Sequence, residues 1–146
     1  LRPEESIGYL IVNTGRKLSS SLTQLFQSYQ LTSEQWSLLL TLHHEDNISQ
    51  KELADRTEKD PANVTRILDQ LERKGFVTRQ PNPEDRRSYL MHITPVGRKA
   101  AVDLIPVENR FMAEVLAGIP EAELEAFRTF IGKVNRNMER RRELRE

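Results

Sequence analysis

The sequence predicts a mainly α protein with one small β-hairpin, and three observations carry that prediction. Apolar residues at three- and four-residue spacing run through both ends of the chain, over residues 6–29 and 124–138. Between them, residues 60–75 open on Asp60-Pro61, a cap with proline at the first helical position, and close on Gly75, a helix-stop residue. Directly after it, Phe76-Val77-Thr78-Arg79 and Ser88–Ile93 are rich in β-branched and aromatic residues and enclose a loop carrying Asp85-Arg86-Arg87. A capped helix followed by a basic hairpin can set one element in a DNA major groove and the other in a minor groove. The predicted architecture is therefore a winged helix-turn-helix flanked by N- and C-terminal dimerisation helices.

The first helix begins near Ser6, with Ile7, Leu10, Ile11, Thr14, Leu18, Leu22, Leu25, Phe26 and Tyr29 on one face over some six turns. Thr32-Ser33-Glu34 opens the second, whose inner stripe is Trp36, Leu39, Leu40 and His43, and Asp46-Asn47 stops it. Ser49-Gln50-Lys51-Glu52 reads as a capping box starting a third helix, with Leu53 and Ala54 buried. The fourth runs from Pro61 to Lys74. Pro81, Asn82 and Pro83 force a loop between the two strands. Thr94-Pro95 opens helix five, in which Pro106 predicts a kink or break. The last helix starts near Pro120-Glu121, and Leu124, Phe127, Ile131, Val134 and Met138 form a coiled-coil-like seam. Two apolar-striped ends cannot both bury themselves against so small a middle, which predicts a homodimer joined through its terminal helices. The expected division is residues 1–31 as N-terminal dimerisation helix, 32–100 as DNA-binding lobe and 101–146 as C-terminal dimerisation helices, in one intertwined domain.

Composition narrows the function. The 146 residues carry 22 basic and 22 acidic side chains and no cysteine, so thiolate metal sites and thiol redox sensing are excluded. The zero net charge conceals segregation. Residues 60–99 sum to +3, residues 106–125 to −4, and the stretch after Gly132 to +3. No run approaches the roughly 18 apolar residues of a membrane span, and no secretory signal is read, so a cytoplasmic protein without a membrane partner is expected. No cofactor or metal site is expected: the glycines are scattered, His43-His44-Glu45-Asp46 lacks metal-ligand spacing, and no serine stands in a nucleophile elbow. An enzyme is therefore not expected.

At about 100° per residue, Val64, Ile67, Leu68 and Leu71 point inward from the fourth helix. Ala62, Arg66, Asp69 and Arg73 fall on the opposite side, flanked by Asn63, Thr65 and Gln70. Asn suits adenine, Arg guanine, and Thr a thymine methyl. Alone, such a helix reads first as a solvated amphipathic surface; the hairpin after it reverses that and decides for DNA. Arg86 and Arg87 at the hairpin tip suit a narrow minor groove, and Asp85 is expected to pair with an arginine and fix its direction.

With these residues in view, the runs LTSEQWSLLLTL, QKELADRTEKDPANVTRILDQLERKGFVTR and PEDRRSYLMHITPVG resemble the MarR family of bacterial transcription regulators, over nearly the whole chain. The resemblance implies a homodimer on a pseudo-palindromic operator in double-stranded DNA, usually as a repressor. It implies that helix four is the recognition helix and that Arg87, helped by Arg86, enters the minor groove. Ser49 and Gln50 would touch backbone phosphates. It further implies release by a small, often aromatic or phenolic, anion bound between the arms and the lobe, with Asn13, Lys17, Trp36 and His43 as pocket candidates. Trp36 and His43, seven residues apart on one face, read more readily as core residues packing arm on lobe. Two other readings stay open: a winged helix used for protein contacts, and a DNA binder without a ligand response. The first is disfavoured because Ala62, Asn63, Thr65 and Arg66 offer no apolar anchor.

Overall fold

In a computed structural model that describes residues 2–145, six α-helices and a three-stranded antiparallel sheet follow one another as α1 (Ile7–Leu25), α2 (Ser33–His44), β1 (Ile48–Ser49), α3 (Gln50–Thr57), α4 (Pro61–Arg73), β2 (Val77–Asn82), β3 (Asp85–Ile93), α5 (Pro95–Val115) and α6 (Glu121–Arg145). The chain divides after Asn109 into two compact units. None of the described helices is long and apolar enough to cross a membrane.

The first unit is built on local signals that the sequence states openly. Ser6 caps α1, which ends at Leu25, about five turns on. Phe26 then turns the chain and is fully buried, and Gln27–Tyr29 form a short 3-10 turn closed by Gln30 in the left-handed region (φ 55°). The single six-turn helix expected through Tyr29 is thus shorter, because the chain must bend to bring α2 back against it. Thr32 and Gln35 form a reciprocal capping box at the start of α2. Trp36, Leu38, Leu39 and Leu42 are buried, whereas Leu40 and His43 are only half-buried. At α3 the Ser49 hydroxyl accepts from the Glu52 amide at 3.1 Å, but the Glu52 carboxylate turns to Arg56 at 2.8 Å, so only half of the expected capping box forms. Asp60 caps α4 by accepting from the Asn63 amide at 3.2 Å, and Gly75 ends that segment at φ 80°.

The sheet has the order β1-β3-β2. β1, which sequence reading missed, pairs Ile48 with Met91 and Ser49 with Leu90. The hairpin is longer than expected. β2 continues through Pro81 and Asn82, Pro81 facing Tyr89, and the chain reverses at Pro83-Glu84. Proline is tolerated because β2 is an edge strand. Asp85, Arg86 and Arg87 accordingly start β3 instead of forming a loop.

Val64, Ile67, Leu68 and Leu71 are fully buried and pack with Phe26, Leu38, Leu39, Leu42, Leu53 and Met91 in one core. α5 enters this core with Ala100, Ala101 and Leu104 and runs as one helix through Pro106, so of the expected kink or break the break does not occur. Pro106 and Val102, whose carbonyl loses the hydrogen bond, both lie on the exposed side, where water can take it.

In the second unit, α6 has no buried residue and exposes Phe127, Phe130 and Met138. α1 likewise buries none, exposing Ile7, Tyr9, Leu10 and Val12.

Candidate nucleic-acid interface

Fixed at its N-terminus by Asp60 and held by four buried apolar side chains, α4 presents Ala62, Thr65 and Arg66 outward, with Asn63 partly exposed beside them. Gln50 from α3 donates to the Thr65 hydroxyl at 2.5 Å, so the starts of α3 and α4 form one polar surface. Ser49 sits at its edge, its hydroxyl serving as the α3 cap.

Between α3, α4 and the hairpin lies a groove of about 500 Å³ whose walls include Gln50, Lys51, Thr65, Arg79, Arg87 and Tyr89. Arg79, which sequence reading passed over, closes one side of it. Its guanidinium bonds Asp69 at 2.6 Å and the Thr65 carbonyl at 3.2 Å, and its backbone amide donates to Glu72 at 3.3 Å. Asp69 therefore faces the hairpin, where its charge is matched by Arg79. Arg73 donates to the Asp69 carbonyl at 3.4 Å. The clue lay in the sequence: Asp69 and Glu72 are three residues apart on one face of α4, and a lone arginine follows in the next strand.

Asp85, Arg86 and Arg87 are exposed. The expected pairing of Asp85 with an arginine side chain is replaced by a backbone contact: its Oδ1 accepts from the Arg87 amide at 3.0 Å. Asn82 accepts from the Glu84 amide and donates to Ser88, both at 3.0 Å, tightening the same turn. Among the described residues, Arg86 and Arg87 enter no ion pair, while Arg66 and Arg79 each do.

Behind the surface, Gln35 is 5% exposed, donates to Gln70 at 2.8 Å and accepts from Lys74 at 2.9 Å. Lys74 also donates to the Gln30 carbonyl. Partial burial holds the Lys74 ammonium below its ordinary pKa. This network ties the first turn of α2 to the back of α4; Gln70 thus faces inward and is not a flanking surface group.

The four pocket candidates differ in setting. Asn13 and Lys17 are exposed on α1. Trp36 is 3% exposed, packs on Phe26 at a ring separation of 5.1 Å, and donates its indole N–H to Glu108. His43 is half-buried, with Nδ1 buried and unpartnered among the described residues.

Comparison with known proteins agrees with this geometry. Residues 31–89 match the family model described as the MarR family. The chain is 35% identical over 108 residues, 74% of its length, to the uncharacterized HTH-type transcriptional regulator YdgJ of Bacillus subtilis (strain 168), and spans 66% of that relative's length. The crystal structure of MarR superposes with a TM-score of 0.77 at 27% identity, covering 97% of both chains. BpsR of Bordetella bronchiseptica, a structure described as showing regulation of DNA binding by 6-hydroxynicotinic acid, superposes with a TM-score of 0.83 at 22% identity, covering 92% of this chain and 96% of that one. That last likeness is one of fold.

Proposed function

Because the chain belongs to the MarR family of transcription regulators and has its winged helix DNA-binding fold, we propose that it is a cytoplasmic repressor that binds a pseudo-palindromic operator as a homodimer. The observation that carries this reading is the pairing of a capped α4, polar on its outward face, with a hairpin whose tip arginines, Arg86 and Arg87, lack carboxylate partners among the described residues. Asn63, Thr65 and Arg66 read base edges in the major groove, with Ala62 leaving room for close approach. Arg87 and Arg86 enter the minor groove, where narrow A·T-rich segments concentrate negative potential. Ser49, Gln50 and Arg73 face phosphates. Asp69 acts through Arg79, and Asp85 through the Arg87 backbone.

The test is anisotropy of a labelled duplex from the gene's own upstream region, beside an unrelated duplex, across a salt series. Binding tighter by roughly 10³-fold or more to its own region, and weakening steeply with salt, supports a specific regulator. Equal weak binding to both counts against it.

The uncovered apolar residues of α1 and α6 support the homodimer, since a second copy offers the same stripes for burial. Deleting the chain after Gly132 removes the Val134 and Met138 end of the seam and is expected to abolish the dimer in light scattering. A truncated chain that stays dimeric refutes the role of α6.

Release by a small aromatic acid is part of the proposal, with Asn13, Lys17, Trp36 and His43 around the ligand. It is supported by what the BpsR structure's description states of that protein. A DNA binder without ligand response is the second reading, favoured by one observation: the Trp36 indole N–H, the natural donor to such an acid, is already bonded to Glu108. Adding salicylate or 6-hydroxynicotinate to the preformed complex separates the two, since only the first reading expects the duplex to be released.

A further inference from the structure

Arg66 is the one guanidinium on the outward N-terminal half of α4, and it is already engaged. Its Nη2 donates to Glu34 Oε2 at 3.2 Å and to Asn63 Oδ1 at 2.5 Å. An Nη nitrogen has two hydrogens, so both are committed. A guanidinium presents two parallel forks to a planar acceptor pair, Nη1 with Nη2 or Nε with Nη2. Both forks use Nη2. Arg66 therefore cannot read the O6 and N7 acceptors of a guanine through a fork while it keeps these two contacts.

The two partners are not equivalent. Asn63 belongs to α4 and moves with it. Glu34 comes from α2, and its backbone is anchored on both sides. The Ser33 amide donates to Thr23 in α1 at 3.0 Å, and Gln35 closes the Thr32 capping box and bonds Gln70. Glu34 thus has an anchored backbone, from which its carboxylate reaches Arg66 beside the base-reading face.

We propose that Glu34 is an internal competitor for DNA: it occupies Arg66 Nη2, and a guanine edge must displace it before Arg66 can read. This rests on the reading of α4 as the recognition helix. The pair is about half exposed on each side, 55% for Arg66 and 50% for Glu34. Exposed pairs of this kind correspond to an equilibrium factor of about two to five. A fork to guanine is stronger than that. The exchange therefore proceeds, at a reduced net affinity, and the carboxylate sets how tightly the protein holds its site.

The experiment uses the full-length chain and a duplex selected by the wild type from a randomised pool. Glu34→Gln keeps the shape of the side chain and removes its charge. It is expected to bind the selected duplex about two- to fivefold tighter for each recognition helix engaged, with a melting temperature lowered by about 4 °C at most. In an Arg66→Ala background the same substitution is expected to change nothing, because the competitor has lost its target. Unchanged or weaker binding by Glu34→Gln alone overturns the proposal. So does equal tightening with and without Arg66, which makes the effect a general repulsion between Glu34 and phosphates. Arg66→Ala by itself tests the level beneath: if it binds the selected duplex like the wild type, Arg66 reads no base and both the helix assignment and the inference fail. Loss of affinity in Arg66→Ala with no effect of Glu34→Gln sinks the inference alone.

Discussion

Replacing Gly97 with alanine is expected to destabilise the fold by about 3 kcal/mol, the upper end for overpacking a core. Gly97 lies in the first turn of α5, and a Cβ there would stand 2.3 Å from the Phe76 carbonyl oxygen and 2.8 Å from Ile93 Cγ1. Ile93 is a side chain and can give a little. The Phe76 carbonyl cannot, because it accepts from the Thr94 amide at 3.0 Å. Around it, the Thr94 hydroxyl donates to the Gly75 carbonyl at 2.6 Å and accepts from the Gly97 amide at 3.0 Å. Room for a methyl group therefore requires peeling the start of α5 from the start of β2, which breaks the cap and uncovers Ala100 and Ala101. Urea unfolding followed by circular dichroism measures the effect. A midpoint within error of the wild type would show that this junction is soft.

Removing the Arg87 side chain is expected to weaken operator binding about ten- to hundredfold while leaving the dimer and its melting temperature unchanged. Arg87 is exposed, its backbone is fixed by Asp85, and among the described residues no carboxylate holds its side chain. Among the described residues no side-chain contact of Arg87 needs to be broken for it to meet DNA, and little of the fold depends on it. Arg79, on the same groove, is the contrast: it is 19% exposed and bound to Asp69, so its charge is spent inside the protein. A salt series with Arg87→Ala should also show a shallower slope, since one fewer cation displaces counterions on each half-site. Unchanged affinity at moderate salt would remove the hairpin from the interface.

Local chemistry made most of these elements legible. Asp60-Pro61 and Gly75 bound α4 because a cap, a preset φ and a left-handed stop each act within a few residues. The buried set Val64, Ile67, Leu68 and Leu71 follows from helical period alone. What escaped depends on partners distant in sequence. β1 is two residues long and exists only because β3 lies beside it. Pro81 reads as a breaker until the strand order shows it on an edge. Pro106 reads as a break until α5 shows which side of the helix faces water. Arg79, Gln35 and Glu34 were invisible as site residues for the same reason: each takes its role from α4, reached across the fold from another element.

The chain has a single tryptophan, and its indole N–H is bonded to a carboxylate from α5. Excited at the red edge of indole absorption, where its three tyrosines do not absorb, the unlabelled protein therefore emits from one chromophore at one known place, shielded from solvent and next to a negative charge. Anything that parts Glu108 from the ring, or lets water reach it, shifts the emission maximum directly. The α2–α5 contact is in effect an optical gauge, and rearrangement there can be followed in real time without attaching a dye.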